Sequence, residues 1–135
     1  MSSLYLLDTN MVIYIQRGIP SVMKRLTSVG RDGVALPSLV VAELAYGVEK
    51  STLQARNRER LEQLLLEFNV IAWEHKAMWH YARHFHALRT KGQLIGHMDL
   101  LIASQALAED AILVTNNTRE FERIEGLKLE NWAHA

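Results

Sequence analysis

The chain has no cysteine, no net charge and no long apolar run. Without cysteine it forms neither disulfides nor thiolate-bound zinc sites, which suits a reducing compartment. No apolar run approaches the ~18 to 20 residues that a membrane span requires. The N-terminal stretch MSSLYLLDTN lacks the basic region of a signal peptide, and its apolar part is too short for one. We therefore expect a cytoplasmic protein with no membrane contact.

What the chain does have is the composition of an ordinary globular domain. Its 135 residues are 49% hydrophobic and 22% charged, with no internal repeat, low-complexity segment or linker. A chain of this length buries a real core without disulfides or metals. We expect residues 1–135 to form one domain.

The balanced charge excludes less than it first suggests. The sequence has 15 basic and 15 acidic residues, so gathering four acids in one pocket would leave 15 basic against 11 acidic ones elsewhere. Such a protein can attract nucleic acid around an acidic, metal-filled centre.

Strands and helices alternate along the sequence. The stretch TNMVIYIQRG fits either element, and we assign it to a helix that stops at Gly18. The alternation predicts an α/β fold, a three-layer α/β/α sandwich with a mostly parallel sheet of about five short strands. In such folds ligands sit beyond the carboxyl ends of the strands. The predicted strands are residues 4–7, 34–36, 70–73, 112–115 and, at an edge, 127–129.

Two aspartates lie near the predicted carboxyl edge of the sheet, where α/β proteins bind their ligands. Asp8 ends the first strand, and Asp99 lies in the first turn of a helix that starts at His97. Each has a structural explanation, because aspartate is a preferred helix cap and also interacts favourably with a helix N-terminus. Taken singly, both explanations stay open.

Two glutamates are further candidates. Glu43 lies inside LVVAELAYG with apolar neighbours on both sides. A buried carboxylate costs several kcal/mol without compensation, so we expect Glu43 to be paired with Arg or Lys or bound to a cation. Glu120 has its own alternative, because Asn117 and Glu120 have the spacing of a capping box.

The four acids are more informative together. In a parallel sheet the strand ends that precede or follow them point to the same edge, so Asp8, Glu43, Asp99 and Glu120 are predicted to converge. Like charges that close cannot all stay ionised without a cation, and Mg²⁺ or Mn²⁺ prefers oxygen ligands. Such a cation activates water and stabilises charge on a phosphoryl group. The pattern therefore indicates phosphodiester hydrolysis.

At these residues the chain resembles the PIN-domain ribonucleases of the VapC toxin type over essentially its full length. The resemblance rests on four stretches in order, LLDTN at 6–10, AELAYG at 42–47, IGHMDLLIAS at 95–104 and LVTNNTREFERIEGL at 113–127. It implies an α/β/α domain that cuts RNA endonucleolytically with Mg²⁺ or Mn²⁺, with transfer RNA as the expected substrate. It also implies homodimers, a cognate VapB-type antitoxin whose tail blocks the site, and contact with DNA only through that antitoxin.

The resemblance also implies roles for individual residues. The catalytic acids of the family correspond to Asp8, Glu43, Asp99 and Glu120, with Asp8 and Asp99 as principal metal ligands. Many relatives have aspartate at the fourth position, so direct metal contact by Glu120 stays open. Supporting roles are expected for two residues: the Thr9 hydroxyl orients Asp8 or caps the helix, and Asn117 caps the last short helix.

Two rival functions remain at this point. A receiver-like signalling module also binds Mg²⁺ at strand ends, but it needs a phosphoacceptor aspartate after a central strand and a lysine after a late one. The strand at 70–73 is followed by Glu74 and His75, and no lysine follows residues 112–115. A catalytically silent binding domain is the other rival, and the complete set of four acids argues against it.

Weaker signals lie on predicted helices. His80 and His84 have metal-binding spacing but no third ligand, so a solvated face is favoured over zinc. The RNRER run at 56–60 is either a solvated face or a contact to RNA phosphates. Comparable basic candidates for such contacts are Arg89, Lys91, Arg119 and Arg123. Trp79 lies off the main apolar stripe, so it either contacts a partner or caps the core.

Overall fold

A computed structural model describes residues 3–134 of the chain. Its strands are β1 (Tyr5–Leu7), β2 (Val34–Pro37), β3 (Asn69–Ile71), β4 (Ile112–Val114) and β5 (Lys128–Glu130). They form one sheet in the order β3-β2-β1-β4-β5, and every neighbouring pair is parallel. The predicted parallel sheet of five short strands is therefore confirmed.

Helices lie between consecutive strands, as parallel pairing requires. In the described part of the chain they are α1 (Thr9–Gln16), α2 (Pro20–Val29), α3 (Ser38–Glu49), α4 (Gln54–Leu65), α5 (Met78–Thr90), α6 (His97–Ala108) and α7 (Thr118–Phe121). They flank the central sheet and confirm the α/β/α sandwich. Within residues 3–134, none of these helices is long and apolar enough to cross a membrane.

The ambiguous stretch after β1 is helical because of its cap and its burial. Asp8 occupies the N-cap of α1, and its carboxylate accepts the amide of Thr9. Met11, Val12 and Ile15 then turn one buried face toward the core. Burial of an apolar side chain contributes roughly 1.5 to 3 kcal/mol, which outweighs the small helix penalty of β-branched residues.

The third strand starts and ends earlier than predicted. It covers Asn69–Ile71 at the edge of the sheet, and Trp73 lies beyond it. The Trp73 indole N–H donates to the carbonyl of Leu101 in α6 at 2.9 Å. Trp73 was predicted to end the strand because it is apolar, but it packs on α6 instead.

The central strands fix where polar residues gather. Leu6 and Leu7 of β1 and Leu113 and Val114 of β4 are completely buried. Leu7 is in register with Val114, and the amide of Asp8 donates to the Val114 carbonyl at 2.9 Å. The residues that follow these two strands are consequently neighbours at the carboxyl edge of the sheet.

Candidate active site

Asp8 is held by three donors at this edge. Its Oδ1 accepts the Thr9 amide at 2.8 Å, and its Oδ2 accepts the Thr115 hydroxyl at 2.8 Å and the Asn10 side-chain amide at 3.3 Å. Only 5% of Asp8 is exposed. Burial raises the pKa of Asp8 above its ordinary value, while the hydrogen bonds oppose that rise. Asp8 is thus both the predicted helix cap and a carboxylate at the sheet edge.

Thr9 connects α1 to α3 rather than orienting Asp8 through its side chain. Its hydroxyl donates to Oε1 of Glu43 at 2.7 Å, and only its backbone amide reaches Asp8. Of the two expected roles of the Thr9 hydroxyl, contact with Asp8 is therefore wrong, and the N-cap of the helix is Asp8 rather than Thr9. The backbone at the helix start already supplies a donor to Asp8, which leaves the hydroxyl directed at α3.

Glu43 is less enclosed than its apolar neighbours suggested. It is half-buried, and the adjacent Ala42 and Ala45 are exposed. Within residues 3–134 Glu43 forms no salt bridge, so of the two expected alternatives, pairing with Arg or Lys and binding of a cation, the first is wrong. The Thr9 hydroxyl donates to its carboxylate, and this part of α3 faces an open groove.

Asn117 and Glu120 do not form the predicted capping box. Asn117 occupies the N-cap of α7, but its side chain accepts no helix amide. Its Nδ2 instead donates to Oε2 of Glu120 at 3.2 Å. Since α7 has only four residues, it offers little regular helix start to cap, and the side chains pair with each other.

Thr115 belongs to the site and was not among the predicted site residues. It is completely buried directly after β4, and its hydroxyl donates to Asp8 at 2.8 Å. The same oxygen accepts the backbone amide of Asn117 at 3.0 Å. Thr115 therefore links Asp8 to the segment that holds Glu120. A polar residue immediately after a buried strand was the available signal, but it read as the last residue of the strand.

Asp99 lies in the first turn of α6, where the charges of the other three acids act on its carboxylate. Its pKa is raised to about 7, first by burial and then by the charges of Asp8 and Glu120, a hydrogen bond with Glu120, and the charge of Glu43. The N-terminus of a helix favours a charged aspartate, so the dipole alone would act in the opposite direction. The structure therefore brings all four predicted acids together at one edge.

The cluster has the donor chemistry of a hard-cation site without forming a finished ligand shell. Within residues 3–134, no three His, Asp or Glu side chains are arranged to hold a metal ion as they stand. Glu43 and Glu120 are turned toward Thr9 and Asn117. The oxygen donors and the unfavourable charge at Asp99 nonetheless suit a small divalent cation.

The histidine pair on α5 offers no comparable site. Burial, followed by the charges of His80 and Arg83, lowers the pKa of the half-buried His84. No third ligand joins the pair in the part of the chain that the structure describes. Trp79 on the same helix is 62% exposed and does not cap the core.

Comparison with known proteins gives the class of this fold and site. Residues 5–127 match the PIN domain family. The chain is 42% identical over 131 residues to Ribonuclease VapC2 of Rickettsia felis, covering 96% of this chain and 98% of the relative. It is 33% identical over 129 residues to the tRNA(fMet)-specific endonuclease VapC of Shigella flexneri, with 96% and 98% covered.

A solved structure agrees with these relatives. VapBC2 from Rickettsia felis, bound to a DNA fragment from its promoter, superposes with a TM-score of 0.89 at 41% identity, over 96% of this chain and 98% of that one. The chain belongs to the PIN-domain family and, within it, to the VapC ribonucleases.

Family membership makes the receiver alternative wrong. One of its criteria is met by geometry, because Asp8 follows β1, the central strand of the sheet. The required lysine is missing, however, since β4 is followed by Thr115 and two asparagines. From the sequence, the aspartate criterion applied to the strand predicted at 70–73, but this strand, β3, lies at the edge of the sheet.

Proposed function

We propose that this protein is a metal-dependent endoribonuclease, the toxin of a VapBC-type toxin–antitoxin pair, which hydrolyses RNA phosphodiester bonds and so inhibits translation. Transfer RNA is the proposed substrate, in keeping with the tRNA(fMet)-specific relative. The observation that carries the proposal is the four-acid edge, where burial, followed by the neighbouring carboxylates, raises the pKa of Asp99 to about 7. Such crowding of acids is favourable only if a cation joins them.

Each site residue has a proposed role. Asp8 and Asp99 hold the principal Mg²⁺ or Mn²⁺, and Glu43 and Glu120 complete the acidic ring as catalytic residues. The cation supplies charge stabilisation at the phosphoryl group and acidifies water. The protein contributes positioning.

The hydrogen bonds of the site support this positioning role. The Thr115 hydroxyl and the Thr9 amide keep the Asp8 side chain in one orientation, so its carboxylate is in place before a cation binds. The Thr9 hydroxyl holds Glu43, and Asn117 holds Glu120. Asp99 must lose its proton before it ligates, which makes cation binding pH-dependent.

The proposed setting follows the related complexes. The Rickettsia felis relative was solved as a toxin–antitoxin complex on promoter DNA. We propose by analogy a VapB-type antitoxin as partner, DNA contact only through that antitoxin, a homodimer, and residues 1–135 as one PIN domain. A cytoplasmic location belongs to the same proposal, because the proposed RNA substrate is found there.

The decisive experiment incubates the purified, antitoxin-free chain with total RNA and Mg²⁺ or Mn²⁺ and maps the cut ends. We expect cation-dependent internal cleavage with 5′-phosphate and 3′-hydroxyl ends, and a loss of about 100- to 1,000-fold in Asp8→Asn and Asp99→Asn. Asp110→Asn is the matched control, because Asp110 lies beyond the other end of α6 and pairs with Lys128. Equal cleavage by all four proteins would overturn the mechanism.

A further inference from the structure

A groove of about 840 Å³ opens beside Thr9 and Glu43. Residues of α1, α3 and α4 form most of its lining. Three cations, Arg17, Lys50 and Arg60, line it against a single acid, Glu43. The lining of the groove is therefore net positive, and it would attract a polyanion.

The cationic side chains of this groove are not neutralised by salt bridges to acids in the part of the chain that the structure describes. Within residues 3–134, none of Arg17, Lys50 and Arg60 takes part in a salt bridge. Arg58, from the same RNRER run, is instead paired with Glu62 at 3.3 Å. Of these two arginines only Arg60 lines the groove. The structure therefore distinguishes which of them could contact RNA, which the sequence could not.

An exposed aromatic ring stands in the same groove. Tyr46 is 66% exposed, and Nζ of Lys50 lies 5.4 Å from the centre of its ring. Tyr46 lies in the last turn of α3 and Lys50 is the C-cap of that helix, four residues later, so both lie on the same face. An exposed ring beside cations that form no salt bridge is a combination by which proteins hold single-stranded nucleic acid, through base stacking and phosphate contacts.

We infer that the groove binds a single-stranded segment of the RNA substrate, with a base stacked on Tyr46 and neighbouring phosphates contacted by Arg17 and Arg60. The adjoining phosphodiester then reaches the acids through the Thr9 and Glu43 end of the groove. This inference rests on the proposed ribonuclease function and adds the residues that position its substrate. RNA is favoured over a protein occupant because three unpaired cations face one acid.

The test measures binding and cleavage separately. Binding is followed by fluorescence anisotropy with a labelled oligouridine of about 12 nucleotides, in EDTA to prevent cleavage. Tyr46→Ala is expected to weaken binding about 5- to 100-fold without changing its salt dependence, whereas Tyr46→Phe retains it. Arg17→Gln combined with Arg60→Gln is expected to weaken binding about 10-fold or more and to reduce the salt slope by about 1.4.

Cleavage under Mg²⁺ provides the second readout. The same substitutions should raise KM and leave kcat near that of the wild type, because the acids are untouched. Arg58→Gln is the matched control and should change neither measurement, since Arg58 is paired with Glu62. The substituted side chains are exposed, so folding is not at risk, and circular dichroism checks it.

Failure of this inference differs from failure of the proposed function. If the wild type cleaves RNA while the Tyr46 and arginine variants keep its affinity and KM, the inference is overturned and the groove is left to a protein partner. If the wild type binds the oligouridine but cuts no RNA, the nuclease proposal fails, and loss of binding in the variants still supports the groove as an RNA site.

Discussion

The two aspartates of the site are held in opposite ways. Asp8 is 5% exposed and accepts hydrogen bonds from Thr9, Asn10 and Thr115. Asp99 is only half-buried, and within residues 3–134 no amide or hydroxyl donates to its carboxylate. Its pKa is raised to about 7, and the three other acids contribute to that rise.

The difference shows which half of the site the protein completes and which half it leaves open. Around Asp8, neutral donors partly offset the effect of burial, and they orient the carboxylate before any ligand arrives. Around Asp99, burial and like charges are uncompensated, so a proton or a cation must supply the missing positive charge. The site therefore combines a prearranged ligand with one whose charge state depends on what binds.

The sharpest way to break this comparison is to remove each carboxylate in turn from the metal-free protein at pH 8. Asp8→Ala should lower the free energy of unfolding by about 2 kcal/mol, because it removes a helix cap and leaves the buried Thr115 hydroxyl without its acceptor. Asp99→Ala should raise it by about 1 kcal/mol through relief of repulsion.

Urea unfolding in EDTA measures both values, and Asp110→Asn, which suits the positive φ of 52° at that position, supplies the background effect of losing an exposed negative charge. A decrease of similar size in both site variants would show that Asp99 is stabilised by contacts of the same kind as Asp8. The contrast between the two halves would then be wrong.

Loss of the Thr115 hydroxyl is expected to have the next largest effect. Thr115→Val keeps the shape of this buried side chain but removes the donor to Asp8 and the acceptor of the Asn117 amide. We expect a loss of about 1 to 2 kcal/mol of stability and about 10-fold weaker cation binding, because the ligand is no longer oriented.

Mn²⁺ titration calorimetry measures the affinity, and Thr115→Ser, which keeps the hydroxyl, should restore it. Thr90→Val is the control, because the hydroxyl of Thr90 bonds only its own helix, at the carbonyl of His86. If Thr115→Val bound Mn²⁺ as tightly as the wild type, the link through Thr115 would have no role in positioning Asp8.

The raised pKa of Asp99 also predicts how stability changes with pH. The folded protein holds a proton on Asp99 up to about pH 7, whereas the unfolded chain releases it near the ordinary value of 3.8. The contribution of Asp99 to stability is therefore full below the unfolded pKa and is lost as pH rises through about 7. After allowance for its partial exposure, we expect a decline on the order of 1 kcal/mol between pH 5 and pH 8.

Urea unfolding of the metal-free protein against pH measures this decline, and comparison with Asp99→Asn isolates it from other titrating groups. The variant should show the smaller decline that Asp8, whose pKa is also raised, contributes in the same direction. Identical curves for the variant and the wild type would contradict the shift at Asp99.

The smallest effect is expected at Glu120. Glu120→Gln keeps the side-chain length and the contact to Asn117 but removes one negative charge from beside Asp99. We expect cleavage to fall less than about 10-fold, well below the loss in Asp8→Asn or Asp99→Asn. A kcat equal to that of the wild type would show that Glu120 has only a structural role.

The sequence was most informative where a residue's role depends on its place in the chain. The parallel sheet, the acids after β1 and β4, and the acid that opens α6 were all predictable, because parallel strands put their carboxyl ends at one edge. It was least informative about side-chain partners. The Thr9 hydroxyl and the Asn117 amide both have partners other than those predicted.

By itself, the sequence determined the layered α/β class and which four acids would share an edge, because hydrophobic periodicity and chain order dictate both. Only the tertiary structure decided that Thr115 ties Asp8 to Asn117, that no amide or hydroxyl within residues 3–134 donates to Asp99, and that Arg60 rather than Arg58 faces the groove. The physical reason is that hydrogen bonds and charge interactions act over a few ångströms between residues distant in the chain. Their partners are settled only when β1, β4 and the helices around them have packed together.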